Sequence, residues 1–373
     1  MQLKLEMKLR NWKNNYNYIN SEEYESFAFG GGKSMLNWYL QSGKESDVVV
    51  SSRIRFARNL ANFPFMTKAD KSAKQKIEET VQEITPSLGY GLKFVKLKDM
   101  DEITKMTLVE KHLVSPNFVL KKEDTGAMLI NDDENISVMI NEEDHLRIQV
   151  MNSGFDLENL MNLAIELDEK IGSVLPYAYN EKYGFLTACP TNVGTALRVS
   201  VMIHLPGLAR TGNIGKILEV INNFGMNIRG IYGEGSKAGG DMYQISNKQT
   251  LGISEAEIVK NLKLITEKII EQERLARKIL AKESIELEDR VYRAYGVLTN
   301  SRKISSEEAR DLLSEVKLGT DLGIIQELDD LTVKKLELYT KPANLQKYLG
   351  KQIESYERDI KRAEVIKQII NEK

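Results

Sequence analysis

Three consecutive carboxylates, Glu142-Glu143-Asp144, stand between an apolar run at 136–140 and an alternating run at 146–151. The whole stretch reads Asn141-Glu142-Glu143-Asp144-His145-Leu146-Arg147. So much negative charge at a corner between two strands costs stability by self-repulsion unless cations offset it. The chain supplies such cations at strand spacing. Arg53 and Arg55 fall in Val48-Val49-Val50-Ser51-Ser52-Arg53-Ile54-Arg55, Arg198 in Thr195-Ala196-Leu197-Arg198-Val199-Ser200-Val201, and Arg229 in Met226-Asn227-Ile228-Arg229-Gly230-Ile231. Period-two alternation puts Arg53 and Arg55 on one face of their strand. One arginine in a strand is ordinarily an exposed rung. Several, projecting from separate strands toward one acidic corner, suit a polyphosphate, a metal ion and a cationic substrate.

The elements that must hold these residues read as a mixed region followed by a helical one. Alternating or apolar runs predict strands at 47–56, 91–97, 126–131, 135–141, 145–151, 184–188, 196–204, 226–233 and 241–246. Helical periodicity falls at 70–84, 101–112, 155–174 and 210–224. The strands at 126–131, 135–141 and 145–151 leave no room for crossover helices. The sheet is therefore expected to be largely antiparallel and flanked by helices, an α+β fold. Ser254 and Glu257 form a capping box for a long helix to about 282. Helical pieces at 284–296, 305–316, 328–339 and 355–371 then make an all-helical C-terminal domain.

Composition narrows the function classes. With 373 residues the chain should hold two domains, or one large domain with an appendage. A net charge of −2 gives no global field that recruits nucleic acid or an anionic membrane. No apolar run approaches the ~20 residues that span a bilayer, and the N-terminus lacks a signal-peptide layout. Cys189 is the single cysteine, so no intrachain disulfide forms and a reducing cytoplasm is expected. One cysteine with three scattered histidines (His112, His145, His204) does not suggest a zinc site. Gly30-Gly31-Gly32-Lys33-Ser34 imitates a phosphate-binding loop, but Phe27 stands where that motif needs glycine and no apolar strand precedes it. Residues 1–34 are expected to be a non-native extension ahead of a natural start at Met35. Domains are expected at 35–275 and 280–373.

Four ordered motifs carry a resemblance. The acidic corner, Cys189-Pro190-Thr191-Asn192-Val193-Gly194-Thr195, Ser51-Ser52-Arg53-Ile54-Arg55 and Arg229-Gly230-Ile231-Tyr232-Gly233-Glu234-Gly235 resemble the phosphagen (guanidino) kinase family over residues 47–252. Three departures stand out. Only residues 36–46 lie between Met35 and the first motif, where that family carries a helical domain. Helices follow the catalytic region instead, and Met202 occupies a place usually held by a nucleotide-contacting histidine. In these respects the chain is similar to the bacterial protein-arginine kinases (McsB type).

That resemblance implies ATP-dependent phosphorylation of arginine side chains in proteins, marking them for Clp-type proteolysis in the bacterial stress response. The alternatives are a small-molecule guanidino (arginine) kinase or a phosphoarginine-binding adaptor. It further implies Glu143 as the base that orients the guanidinium, Glu234 as a second carboxylate, and Glu142 holding Mg²⁺ through water. Cys189 is implied as a thiolate beside the guanidino group. Nucleotide contacts are implied for Ser51, Ser52, Arg53, Ile54, Arg55, His112, Arg147, Arg198, Val199, Ser200, Val201, Met202, Arg229, Gly230, Ile231, Tyr232 and Gly233. Arg358, Asp359, Arg362 and Ala363 resemble a phosphoarginine-docking element, with Arg358 and Arg362 on one helix face. Protein substrates with exposed arginines, a zinc-binding activator, a Clp ATPase, a stress-gene repressor and a homodimer or higher oligomer are the implied partners. His145 and His204 are expected to be structural.

Overall fold

The computed structural model describes residues 37–121, 125–230, 239–282 and 284–372. The extension expected at 1–34, and Ile231, Tyr232, Gly233 and Glu234, lie outside them. Among the described residues the strands are β1 (Val49–Arg58), β2 (Lys93–Lys96), β3 (Ala127–Ile130), β4 (Ile136–Ile140), β5 (Leu146–Ser153), β6 (Tyr179–Asn180), β7 (Gly184–Phe185), β8 (Leu197–His204), β9 (Met226–Gly230) and β10 (Met242–Asn247). Eight of them form one sheet in the order β2-β3-β4-β5-β1-β8-β10-β9. Every neighbouring pair is antiparallel, and β6 and β7 make a separate short ribbon. The fold is α+β, as the short spacings between strands required.

Alternation divides the sheet into two chemically different faces. Ile54 and Phe56 of β1, Leu146, Ile148 and Val150 of β5, and Leu197, Val199, Val201 and Ile203 of β8 turn into one hydrophobic core. Helices α1 (Lys71–Leu88), α4 (Leu157–Val174) and α7 (Glu255–Leu280) contribute the other side of that core. On the opposite face, β3 to β5 carry Met128, Met139 and Met151, packed with Trp38, Leu108 and Phe118 near α2 (Glu102–Glu110) and α3 (Pro116–Leu120). Further along that face Arg53, Arg55, Arg147 and Arg198 take the place of apolar side chains. Each occupies the parity opposite to its strand's core residues.

The predicted helix at 210–224 is two pieces, α5 (Pro206–Arg210) and α6 (Ile214–Asn223), because Gly212 takes φ +70° between them. The capping box forms as read, with Ser254 and Glu257 exchanging bonds at the start of α7. Beyond it come α8 (Ser284–Asn300), α9 (Ser306–Asp321), α10 (Asp330–Tyr339), α11 (Pro342–Leu349) and α12 (Ser355–Asn371). These helices bury a hydrophobic cluster of their own, built around Val291, Leu313, Val316, Leu336 and Ile366. Helix α11 went unread in the sequence, although Pro342 in its first turn and Gly350, with φ +67°, just past its end are ordinary start and stop signals.

Arg58 is a structural cation that spacing alone did not single out. It turns to the core side of β1 and is 2% exposed. Its guanidinium meets Asp168 at 2.7 Å, donates to the Thr195 carbonyl at 3.2 Å, and lies 3.6 Å from the centroid of the Phe185 ring. Removing one partner of a buried pair leaves the other charge uncompensated. Arg58→Ala is therefore expected to cost about 3 kcal/mol of stability, read as a lower midpoint in urea denaturation.

Candidate active site

All five arginines named from the sequence reach one cleft. A cavity of about 310 Å³ on the polar face is lined by Arg53, Arg55, Arg147, Arg198 and Arg229, with Glu143 beside them. Register explains the convergence. Arg55 stands opposite Arg198 across β1 and β8, Arg53 opposite Ser200, and Arg229 opposite Gln244, which itself faces Met202. Arg53 donates from Nε to the Ser200 hydroxyl at 3.3 Å, and Arg198 to the Asn247 carbonyl at 3.0 Å. The buried Nε of Arg55 has no hydrogen-bond partner.

The cluster is electrostatically strained. Burial, followed by the charges of Arg147 and Arg198, lowers Arg53 from its ordinary value to about 10. Arg55 is pushed well below its ordinary value by burial and then by Arg53, Arg147 and Arg198, with Glu142 opposing. Burial also lowers Arg198, reinforced by Arg229 and Arg147 and countered by Cys189 and Glu143. The sign follows from these directions. A base whose folded pKa is depressed carries its full cost at pH 7, and for Arg53 that cost is relieved only as pH rises past about 10. A polyanion in the cleft removes the same cost at neutral pH and supplies the acceptor that Arg55 lacks.

The three carboxylates of the acidic corner have three different surroundings. Glu142 is nearly buried; it accepts from the Ser115 hydroxyl at 2.7 Å and the Glu143 amide at 2.7 Å, and pairs with Arg147 at 2.6 Å. Glu143 reaches Arg147 at 3.1 Å but keeps 44% of its side chain exposed at the cleft. Asp144 is buried and accepts at 2.6 Å from both Asn59 and the Ala188 amide. It thereby fastens the loop that carries Cys189 to the corner, a link that sequence spacing could not reveal. The corner itself closes through Asn141, which takes φ +63° and bonds its amide to the His145 carbonyl at 2.9 Å.

Cys189 lies partly exposed at the start of a 3₁₀ turn, its Sγ 3.0 Å from the Thr191 hydroxyl. Gly194 closes this loop at φ +115°, where an added Cβ would fall 2.2 Å from the Thr250 carbonyl oxygen. His112 stands next to the cleft and does not line it. The residue is exposed on one side, yet desolvation by the protein around it, followed by the charges of Lys341 and Arg53, lowers its pKa.

Side-chain parity divides the expected nucleotide contacts between the two faces of the sheet. Ile54, Val199 and Val201 point into the core on the other face of the sheet, so their side chains cannot line the cleft. Ser52 is buried as well, donating to the Gly154 carbonyl at 2.8 Å and accepting from the Asp156 amide ahead of α4. Ser51, Ser200, Met202 and Gly230 belong to the strands of the site without lining the cavity. His145 and His204 are structural. His145 accepts from the Leu60 amide and bonds the Pro64 carbonyl, while buried His204 meets the Ser314 hydroxyl of α9 at 2.8 Å.

On α12, Arg358 and Asp359 are half-buried, but Arg362 is only 1% exposed and Ala363 is fully buried. Arg362 donates to the carbonyls of Thr340 at 2.7 Å and Ile304 at 2.8 Å and pairs with Asp359 at 2.7 Å. The shared arginine face read from helical spacing is thus half inside the helical core.

A twisted antiparallel sheet that gathers arginines on its one polar face beside an acidic corner defines a phosphotransferase of the guanidino class. The family described as ATP:guanido phosphotransferase, C-terminal catalytic domain, matches residues 73–276, and the Protein-arginine kinase McsB C-terminal domain matches residues 284–373. A protein-arginine kinase of Halothermothrix orenii is 50% identical over 341 residues, covering 91% of this chain and 97% of the relative. That of Bacillus subtilis is 47% identical, covering 90% and 93%. Among solved structures, lombricine kinase superposes with a TM-score of 0.55 at 25% identity, over 65% of this chain and 69% of that one. The duplicated taurocyamine kinase from Schistosoma mansoni gives 0.57 at 28% identity; the match spans 65% of this chain and only 35% of that longer one. The chain belongs to the protein-arginine kinase family.

Arg55→Met should make the ligand-free protein more stable by about 1 kcal/mol, because it removes a crowded cation with an unmet donor. The same substitution should abolish the rise in melting temperature caused by inorganic triphosphate. A lower unfolding midpoint for Arg55→Met than for the parent, both ligand-free in the same low-salt buffer, would contradict the strained-cluster reading.

Proposed function

We propose that the chain transfers the γ-phosphoryl group of ATP to arginine side chains of proteins. The observation that carries this reading is a cleft of five arginines, one with an unmet buried donor, opening beside a half-exposed carboxylate. The arginines hold the phosphates and gather the charge that develops as the phosphoryl group moves. A substrate arginine keeps its proton far above neutral pH, so a neutral guanidine costs roughly 8 kcal/mol at pH 7. Glu143 orients the guanidinium through paired N–H bonds and takes its proton as a guanidino nitrogen attacks the γ-phosphorus. The bond to the β–γ bridging oxygen breaks, and ADP leaves with that electron pair.

Glu234 is the second carboxylate of this scheme, and Cys189 tunes the site without forming a covalent intermediate. Mg²⁺ bound to the nucleotide needs only one or two carboxylates besides phosphate oxygens and water. The oxygens of Glu142 are already engaged by Ser115, Glu143 and Arg147, which suits a contact through water. When bound, the ion offsets phosphate charge. The exposure of Glu143 favours an arginine carried on a protein surface over a small guanidino compound that must be enclosed.

The unit at 35–275 is the catalytic domain in this reading, and 280–373 serves phosphoarginine docking and dimerisation. Arg358 and Asp359 meet the ligand on α12, while Arg362 and Ala363 build the floor beneath them. Marking of proteins for a Clp-type protease in a cytoplasmic stress response, with a zinc-binding activator and a repressor among the partners, completes the reading.

The direct test is incubation with ATP plus denatured protein, free arginine or creatine, followed by measurement of acid-labile phosphate. Label confined to free arginine or creatine would overturn the protein-substrate assignment. Glu143→Gln should reduce transfer at least ~100-fold while ATP affinity stays within about twofold, as measured by calorimetry. Cys189→Ser should lower the rate without abolishing it, and thiol alkylation should inhibit only the parent protein.

A further inference from the structure

Lys341 is the N-cap of helix α11, and its side chain makes no capping bond. The missing acceptor comes from another part of the chain. The Glu110 carboxylate, on the last residue of α2, receives the Ala343 amide at 2.8 Å, the Asn344 amide at 2.8 Å and the Asn344 side-chain amide at 2.7 Å. These are the amides that a helix start leaves unpaired, and the helix dipole favours an anion there. Lys341 returns the contact by donating to the Glu110 carbonyl at 3.0 Å. Arg362 braces the joint from α12 through the Thr340 carbonyl at 2.7 Å.

The segment after Glu110 leads straight to the arginine cleft. His112 takes φ +62°, and its carbonyl receives the Gln149 side chain at 2.9 Å. Gln149 is the direct partner of Arg55 across β1 and β5. The Leu113 carbonyl is likewise bound on this face by Ser137 at 2.7 Å. A carboxylate that fixes one end of 110–113 therefore fixes where this stretch stands against Arg53 and Arg55.

We propose that Glu110 is a positioning residue for nucleotide binding, which uses the start of α11 as an anchor to set the segment at His112 against the strand that carries Arg53 and Arg55. The inference rests on the nucleotide reading of that cleft. It gives the C-terminal helices a direct part in building the site.

The test uses the full-length chain, with kcat and KM for ATP measured on a denatured protein substrate and ATP binding measured by calorimetry. Glu110→Ala should raise KM and Kd for ATP about five- to tenfold, with kcat within about twofold. Glu110→Gln, which keeps one acceptor oxygen, should recover most of the loss. A purely structural role predicts the opposite split, a smaller active fraction at unchanged KM, and that result overturns the proposal. If Glu110→Ala fails to fold, Asn344→Ala, which removes only the side-chain bond, should still raise KM about twofold; unchanged KM there overturns it equally. Absence of ATP binding in the parent protein would instead sink the nucleotide reading itself.

Discussion

Mutual repulsion among guanidinium groups on one face of a sheet is the constraint around which the structure is organised. Burial, and then the charges of the arginines around them, lower the proton affinity of Arg53, Arg55 and Arg198, and Arg55 keeps a buried donor unmet. Such a cluster persists because the other face of the same strands is largely apolar and sealed by α1, α4 and α7. The hydrophobic core supplies the stability that the polar face gives up. This division also explains why β1 sits at the centre of the site. Paired on both edges, it cannot shift by one residue without turning Arg53 and Arg55 into the core and Ile54 into the cleft.

The acidic corner shows how neighbours in sequence acquire unrelated work. Glu142 neutralises Arg147 and is fixed by Ser115, Asp144 fastens the Cys189 loop, and only Glu143 stays open toward the cavity. The difference lies in solvation. A carboxylate buried among its own donors is a structural anion, whereas one left half-exposed at the cavity remains available to a cationic ligand. Charge placed beside the arginines is thus apportioned between offsetting their repulsion and meeting a substrate.

The helices at the C-terminal end are more than an appendage. Glu110 enters the start of α11, and His204 and Ser314 join β8 to α9. In addition, Glu273 and Arg277 of α7 tie the first amides of α5 and Asp321 of α9 together. Several of these links are buried and charged, so the helices have a specific seat on the sheet and do not merely adhere to it.

The amino-acid sequence by itself determined the strand parity, the antiparallel order of β3, β4 and β5, the capping box of α7 and the identity of the arginines in the cleft. These rest on local chemistry: a period of two, short connections, and side chains that bond their own backbone. Ordered motifs likewise sufficed to place the chain among guanidino phosphotransferases. The same parity, followed strictly, turns the side chains of Ser52, Ile54, Val199 and Val201 away from the cleft, since residues an odd number of positions from Arg53, Arg55 and Arg198 in a strand must face away from them. Only the tertiary structure decided which carboxylate of the acidic corner stays open, that Arg58 and Arg362 are buried anchors, and that Glu110 caps a helix 233 and 234 positions away. Those outcomes depend on desolvation and on partners brought together across the chain, and neither spacing nor composition encodes where such partners meet.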